Sequence, residues 1–153
     1  MKRRHLRGDA VAVVAAIKAA RPEATIGADL IAGFPTETED LFQETLDFVT
    51  EHALPFLHVF PYSERPGTPA ARMPAVPKPV RKERAARLRA AASATAARFH
   101  RAQIGHTTMV LAETDRGGHS EHFCPVRIAA TPGQLLRARI TAADDTTLFA
   151  EPA

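Results

Sequence analysis

A count of strands constrains this chain more than any other feature. Two runs, ATIGADLIAG (24–33) and PFLHVFPYS (55–63), read as strands, and each follows a helical pattern at a distance of a few residues. The first helix is DAVAVVAAIKAA (9–20), with Val11, Val14 and Ile17 spaced by three. Arg21-Pro22 closes it, because proline cannot continue a helix and disfavours helical geometry in the residue before it. In the second helix, Thr36 stands three residues before Glu39, the spacing of a capping box, and Leu41, Leu46, Phe48 and Val49 supply an apolar side as far as about His52. Helix, strand, helix, strand predicts parallel strands joined by a crossover helix. Two such strands cannot close a sheet. Either the sheet is small and exposed, or the rest of it lies outside these 153 residues. Met1, set directly against a basic cluster with no room for a preceding strand, favours the second.

Beyond the second strand, five prolines in ERPGTPAARMPAVPKP exclude regular structure. Ala85, Leu88, Ala92, Ala96 and Phe99 then fall at helical spacing in a long basic helix from about Pro79 to Gln103, which Gly105 stops. The remainder changes character. TTMVLAET, FCPVRIAA, LLRARITAA and TLFAEP are short β-prone runs separated by DRGGHSE, TPGQ and ADD, and this spacing predicts a small antiparallel β-barrel. The expected domains are therefore 1–104 and 105–153.

An apolar content of 45% is enough to bury a core. No apolar run reaches the roughly 18 residues of a membrane span, and the basic head MKRRHLR lacks the uninterrupted apolar stretch of a signal peptide. The expectation is a cytoplasmic protein with no membrane partner. The single cysteine, Cys124, excludes an internal disulfide framework and a cysteine-only metal site within the chain. The net charge is +3, and the positive charge is local: KPVRKERAARLRAAASATAARFHR holds eight basic residues and one acid, a stripe that suits a polyanion and equally a solvated helix face.

GFPTET joins a strand to a helix N-terminus, where anions are favoured, but it has one glycine and no lysine, so it is not a phosphate loop. Its position is the informative part, because parallel αβ folds bind ligands at the carboxyl ends of their strands. Asp29 alternates with Ile26, Ala28 and Leu30 in the first strand and is expected to be buried or half-buried. It would pair with Arg3 or Arg4, or make a polar contact in a barrel mouth. His58, Phe60 and Tyr62 share a face of the second strand, with Tyr62 and Ser63 best placed for a ligand. A small hydrolase using Asp29 and His58 lacks a nucleophile. His119 and His122, in an expected loop, have no further partners for a metal and read as surface residues.

MKRRH, GADLIAGFPTETEDLFQETLDFV, LHVFPYSERPGTPAARMP and KERAARLR, in this order and spacing, resemble the carboxy-terminal half of the radical S-adenosylmethionine methylthiotransferases. The final barrel resembles their TRAM domain, an RNA-binding β-barrel. Within the family, MKRRH, HVFPYS and CPVRI are most similar to the branch that adds a methylthio group to carbon two of N6-threonylcarbamoyladenosine in the tRNA anticodon loop. The isopentenyladenosine and ribosomal-protein branches share much of this region.

The resemblance implies an α/β fold: the carboxy-terminal part of a parallel, partial TIM-like αβ barrel followed by a small OB-like barrel. It implies S-adenosylmethionine as cofactor and tRNA as partner. Gly33, Phe34 and Pro35 would line the cofactor pocket, with Phe60, Tyr62 and Ser63 close to it, Asp29 in its wall and Arg3 and Arg4 at the end of an earlier strand. Arg127, Arg137 and Arg139 would contact phosphates, with Arg81 and Arg84 of the basic helix sharing the electrostatic work. The family's C-x-x-x-C-x-x-C motif is not in these residues, and thiolates are needed to hold a 4Fe-4S cluster. The cluster ligands are therefore expected in a missing amino-terminal part of the same enzyme. No catalytic or metal-binding residue is assigned here, and the chain alone is expected to be inactive. The rival reading is a non-catalytic RNA-binding protein.

Overall fold

The computed structural model describes residues 6–153. In chain order these form α1 (Arg7–Ala20), β1 (Gly27–Ala32), α2 (Glu39–Glu51), β2 (Phe56–Pro61), a 3-10 turn (Pro69–Arg72), α3 (Lys78–Ala102), β3 (Thr107–Thr114), β4 (Gly117–Ser120), β5 (Pro125–Arg127), β6 (Leu135–Ala143) and β7 (Leu148–Pro152). The chain divides into two compact units within α3, between Ala92 and Ser93.

In the first unit β1 and β2 pair in parallel, from Gly27 opposite Phe56 to Ala32 opposite Pro61. One face of this two-stranded sheet presents Leu30, Ala32, Leu57 and Val59 to Phe42 and Val49 of α2 and to Ala85 and Leu88 of α3. Because side chains alternate along a strand, Asp29 and Ile31 point the other way, and they are exposed together with His58 and Phe60. Asp29 is thus solvated rather than buried or half-buried. The strand alternates as its sequence pattern predicts, but nothing among the described residues buries Asp29 on that face.

Local chemistry explains the element ends. The N-cap of α2 is Thr38, whose hydroxyl accepts from Leu41 N at 3.2 Å, rather than Thr36. Glu37 is the reason: its carboxylate accepts from Gly33 N at 2.7 Å and ties down the turn before the helix can start. After His52, α2 ends in a Schellman arrangement, with Leu54 N bonded to Val49 O and Ala53 N to Thr50 O. Ala53 takes the left-handed φ of 47° that this ending requires. The proline-rich segment does contain regular structure, a single 3-10 turn. Pro69 stands at its start, where a missing N–H costs nothing, and Thr68 Oγ1 caps it.

The second unit contains a closed barrel in the order β3-β4-β5-β7-β6. Its pairings are antiparallel except β5 with β7, which is parallel. Five strands in a ring cannot alternate direction all the way round, so one parallel pair is required. The barrel is therefore not wholly antiparallel. The extra strand is β4, inside the stretch read as the turn DRGGHSE. Its glycines are there for clearance: a Cβ on Gly117 would lie 1.9 Å from Val126 O, and one on Gly118 1.9 Å from Leu111 O. Val110, Ala112, Cys124, Val126, Ile128, Ala138, Ile140 and Leu148 fill the buried core of this unit. No helix among the described residues is long and apolar enough to cross a membrane.

Candidate functional site

The carboxyl ends of β1 and β2 frame a groove of about 570 Å³ lined by Ile31, Phe34, Phe60, Tyr62, Ser63 and Thr68. Its shape starts at Gly33, where the chain leaves β1 with φ of 77°, and a Cβ there would come within 2.4 Å of Arg81 Cγ. The turn can therefore close against α3 only as glycine. Phe34 and Pro35 follow, both half-buried, and Phe34 meets the Tyr62 ring edge-on at 5.4 Å. Tyr62 N donates to Ala32 O at 2.8 Å, extending the ladder one residue beyond β2. Its hydroxyl oxygen is buried and has no partner among the described residues. Phe60 is 54% exposed. Asp29 lies opposite His58 in the register, one pleat before Ile31 and Phe60 on the same uncovered face.

Arg81 and Arg84, the basic-helix residues expected to share the electrostatic work on RNA, are engaged within the protein. Both are buried, and their donors are committed to protein acceptors. Arg81 donates to Val76 O at 2.7 Å and Tyr62 O at 2.9 Å and reaches Glu64, while stacking over the Tyr62 ring. Arg84 donates to the Glu37 carbonyl and carboxylate, at 2.9 and 2.8 Å, and to Glu39 at 3.0 Å. Arg87 also bonds Glu39, at 2.6 Å, and both Arg84 and Arg87 sit over the Phe42 ring. The hydrogen bond from Arg87 holds the Glu39 carboxyl below its ordinary value of 4.5. The charge stripe of the sequence is, in this part, an internal clamp between α3 and the start of α2. Its anchor Glu37, set just before the helix cap in GFPTET, carried no recognisable signal in the sequence. Arg3 and Arg4 lie outside the described residues.

On the barrel the outcome is the reverse. Arg127, Arg137 and Arg139 are exposed, and among the described residues none of their side chains makes a hydrogen bond or ion pair. Arg137 stands opposite Met109, and Arg139 stands between Thr107 and Glu151. His119 belongs to β4 rather than a loop, with Nδ1 3.0 Å from Glu113 Oε2, and His122 packs edge-on against Phe99. No group of three or more potential metal ligands occurs among the described residues. Cys124 is fully buried, which pushes its thiol above the ordinary value.

No family model matches the chain. It is 44% identical over 147 residues to the threonylcarbamoyladenosine tRNA methylthiotransferase MtaB of Rickettsia prowazekii, a match covering 95% of this chain and 35% of that protein. It is 37% identical over 165 residues to a tRNA-2-methylthio-N(6)-dimethylallyladenosine synthase of Acidothermus cellulolyticus, with 99% and 33% covered. It is 36% identical over 149 residues to the ribosomal protein uS12 methylthiotransferase RimO of a Synechococcus species, with 88% and 32% covered. The chain thus spans about a third of the length of these relatives.

Proposed function

From its membership of the methylthiotransferase family, of which it matches a carboxy-terminal part, we propose that this chain supplies one wall of an S-adenosylmethionine pocket and an RNA-binding barrel to a tRNA-modifying enzyme. The reaction is addition of a methylthio group to carbon two of N6-threonylcarbamoyladenosine in the anticodon loop. The higher identity to the relative named for that nucleoside supports this branch over the other two. A tRNA substrate gives the reading a cytoplasmic setting. The remaining wall, and the cysteines for the 4Fe-4S clusters, belong to an amino-terminal part of the same enzyme.

The observation that carries the pocket is the groove at the strand ends. Its volume of about 570 Å³ lies within the roughly 300–1,000 Å³ of small-molecule sites. Its apolar lining and the unpartnered Tyr62 hydroxyl suit a ligand with a flat ring and a few polar groups. S-adenosylmethionine bound there would supply, together with the cluster, the radical that opens a C–H bond. The residues of this chain position it. Ile31, Phe34 and Phe60 offer an apolar floor, Gly33 and Pro35 shape the turn that carries Phe34, and Tyr62 and Ser63 offer hydroxyl groups. Asp29 provides a carboxylate on the same face.

Calorimetric titration with S-adenosylmethionine, using the enzyme assembled with its amino-terminal part, tests the pocket. Phe60→Ala should weaken binding about tenfold while Arg137→Ala leaves it unchanged; equal affinities would remove the groove from the site. The barrel is tested on the 153-residue chain itself, since its three uncommitted arginines favour RNA binding without the cluster. Three phosphate contacts to single-stranded RNA give a slope of about −2 in log K against log salt. Affinity independent of salt would reject these arginines as phosphate ligands.

A further inference from the structure

We propose that Phe123 is a base-stacking residue of the barrel, holding one unpaired nucleobase while Arg137 meets a neighbouring phosphate; this rests on reading the barrel as RNA-binding. Phe123 is 79% exposed, more than Leu6 at 77% or Leu135 at 64%. Its backbone is at φ of 58°, a left-handed geometry that a bulky residue adopts only under strain. An asparagine or glycine would occupy that turn more comfortably, so the ring is the feature that needs explaining.

The turn also presents the ring rigidly. Phe123 N donates to Ser120 O at 2.8 Å, Ser120 N to Cys124 O at 2.9 Å and Cys124 N to Ser120 Oγ at 3.3 Å. Cys124 takes the interior position beside it, completely buried, so the phenyl ring is held on the outside. The chain entering the turn is fixed to β3, because Glu121 N donates to Met109 O at 3.0 Å. Met109 faces Arg137 across the β3–β6 ladder, and Leu111 faces Leu135 on the same outer face. Met109, Leu111 and Leu135 are 37%, 47% and 64% exposed. An exposed ring, an apolar strip and an uncommitted guanidinium are thereby linked through one turn.

Single-stranded RNA needs these elements together, a π-face or apolar surface for each base and a cation for the backbone. A duplex keeps its bases stacked inside and has no use for the ring. The occupant is therefore an unpaired loop.

The test uses the 153-residue chain, a hairpin RNA with 2-aminopurine in its loop, and the same sequence closed into a duplex. Binding is followed by anisotropy and by 2-aminopurine fluorescence. The hairpin should bind more tightly than the duplex, with a change in 2-aminopurine emission. Phe123→Gly should weaken hairpin binding about tenfold, abolish the emission change and leave the salt slope intact, whereas Phe123→Trp should retain binding. Since glycine relieves the backbone, the Phe123→Gly chain should melt no lower than the parent, which separates lost stacking from lost fold. Hairpin affinity unchanged in Phe123→Gly, or no preference for hairpin over duplex, overturns the proposal. Failure of the parent chain to bind either RNA would instead overturn the RNA reading on which it rests.

Discussion

At the scale of single residues, arginines of one composition take opposite parts. Arg84 has a side chain only 6% exposed, and it satisfies a carboxylate in Glu37 that is itself 12% exposed. Removing one partner of such a pair leaves the other charge buried, so Arg84→Ala should cost about 3 kcal/mol in chemical denaturation. Arg84→Lys should recover only part of this, because an ammonium cannot fork between Glu37 and Glu39. Glu39 makes a pH prediction of definite sign. Its carboxyl is held below 4.5 chiefly by Arg87, so the stability from that pair is full above about pH 4.5 and is lost as pH falls through the lowered value. Wild type should therefore exceed Arg87→Ala in melting temperature near neutrality, and the two should converge in acid. The sequence could show these arginines only as a charge run, because their fates depend on Glu37 and Glu39, more than forty positions away in the chain. Asp29 illustrates the complementary failure, in that a strand pattern says which way a side chain points but not whether anything stands there.

Elements with strong periodicity were legible, and elements defined by backbone clearance were not. The helices, β1, β2, β3, β6 and β7 all announced themselves through apolar spacing or β-branched and aliphatic runs. Gly-Gly-His-Ser has low strand propensity and forms a strand only because its neighbours leave no space for side chains. The end of α2 offers a test at this scale. Ala53 occupies the left-handed position that glycine usually fills, while Leu54 and Val49 bury themselves across the Schellman turn. Ala53→Gly should stabilise the chain by about 1 kcal/mol, read as a higher denaturation midpoint at unchanged slope.

Over the whole molecule, the two units differ in how completely they are closed. The barrel has no free edge, whereas the first unit rests on two strands with Ile31 and Phe60 uncovered, and two strands alone are marginal. Hydrogen exchange should therefore find β3, β6 and β7 protected well beyond β1 and β2; equal protection would contradict the reading of the first unit as part of a larger sheet. Two strands without a third make this incompleteness visible in the sequence, whereas the parallel β5–β7 pair that a five-strand ring requires is visible only once β4 is known to be a strand. That ring also has a genetic consequence. Leu148–Pro152 closes the ring by pairing with both β5 and β6, and Leu148 is 1% exposed. A stop codon or frameshift falling just before this strand would not trim a tail; it would unseal the domain and behave as a null allele for everything the barrel does.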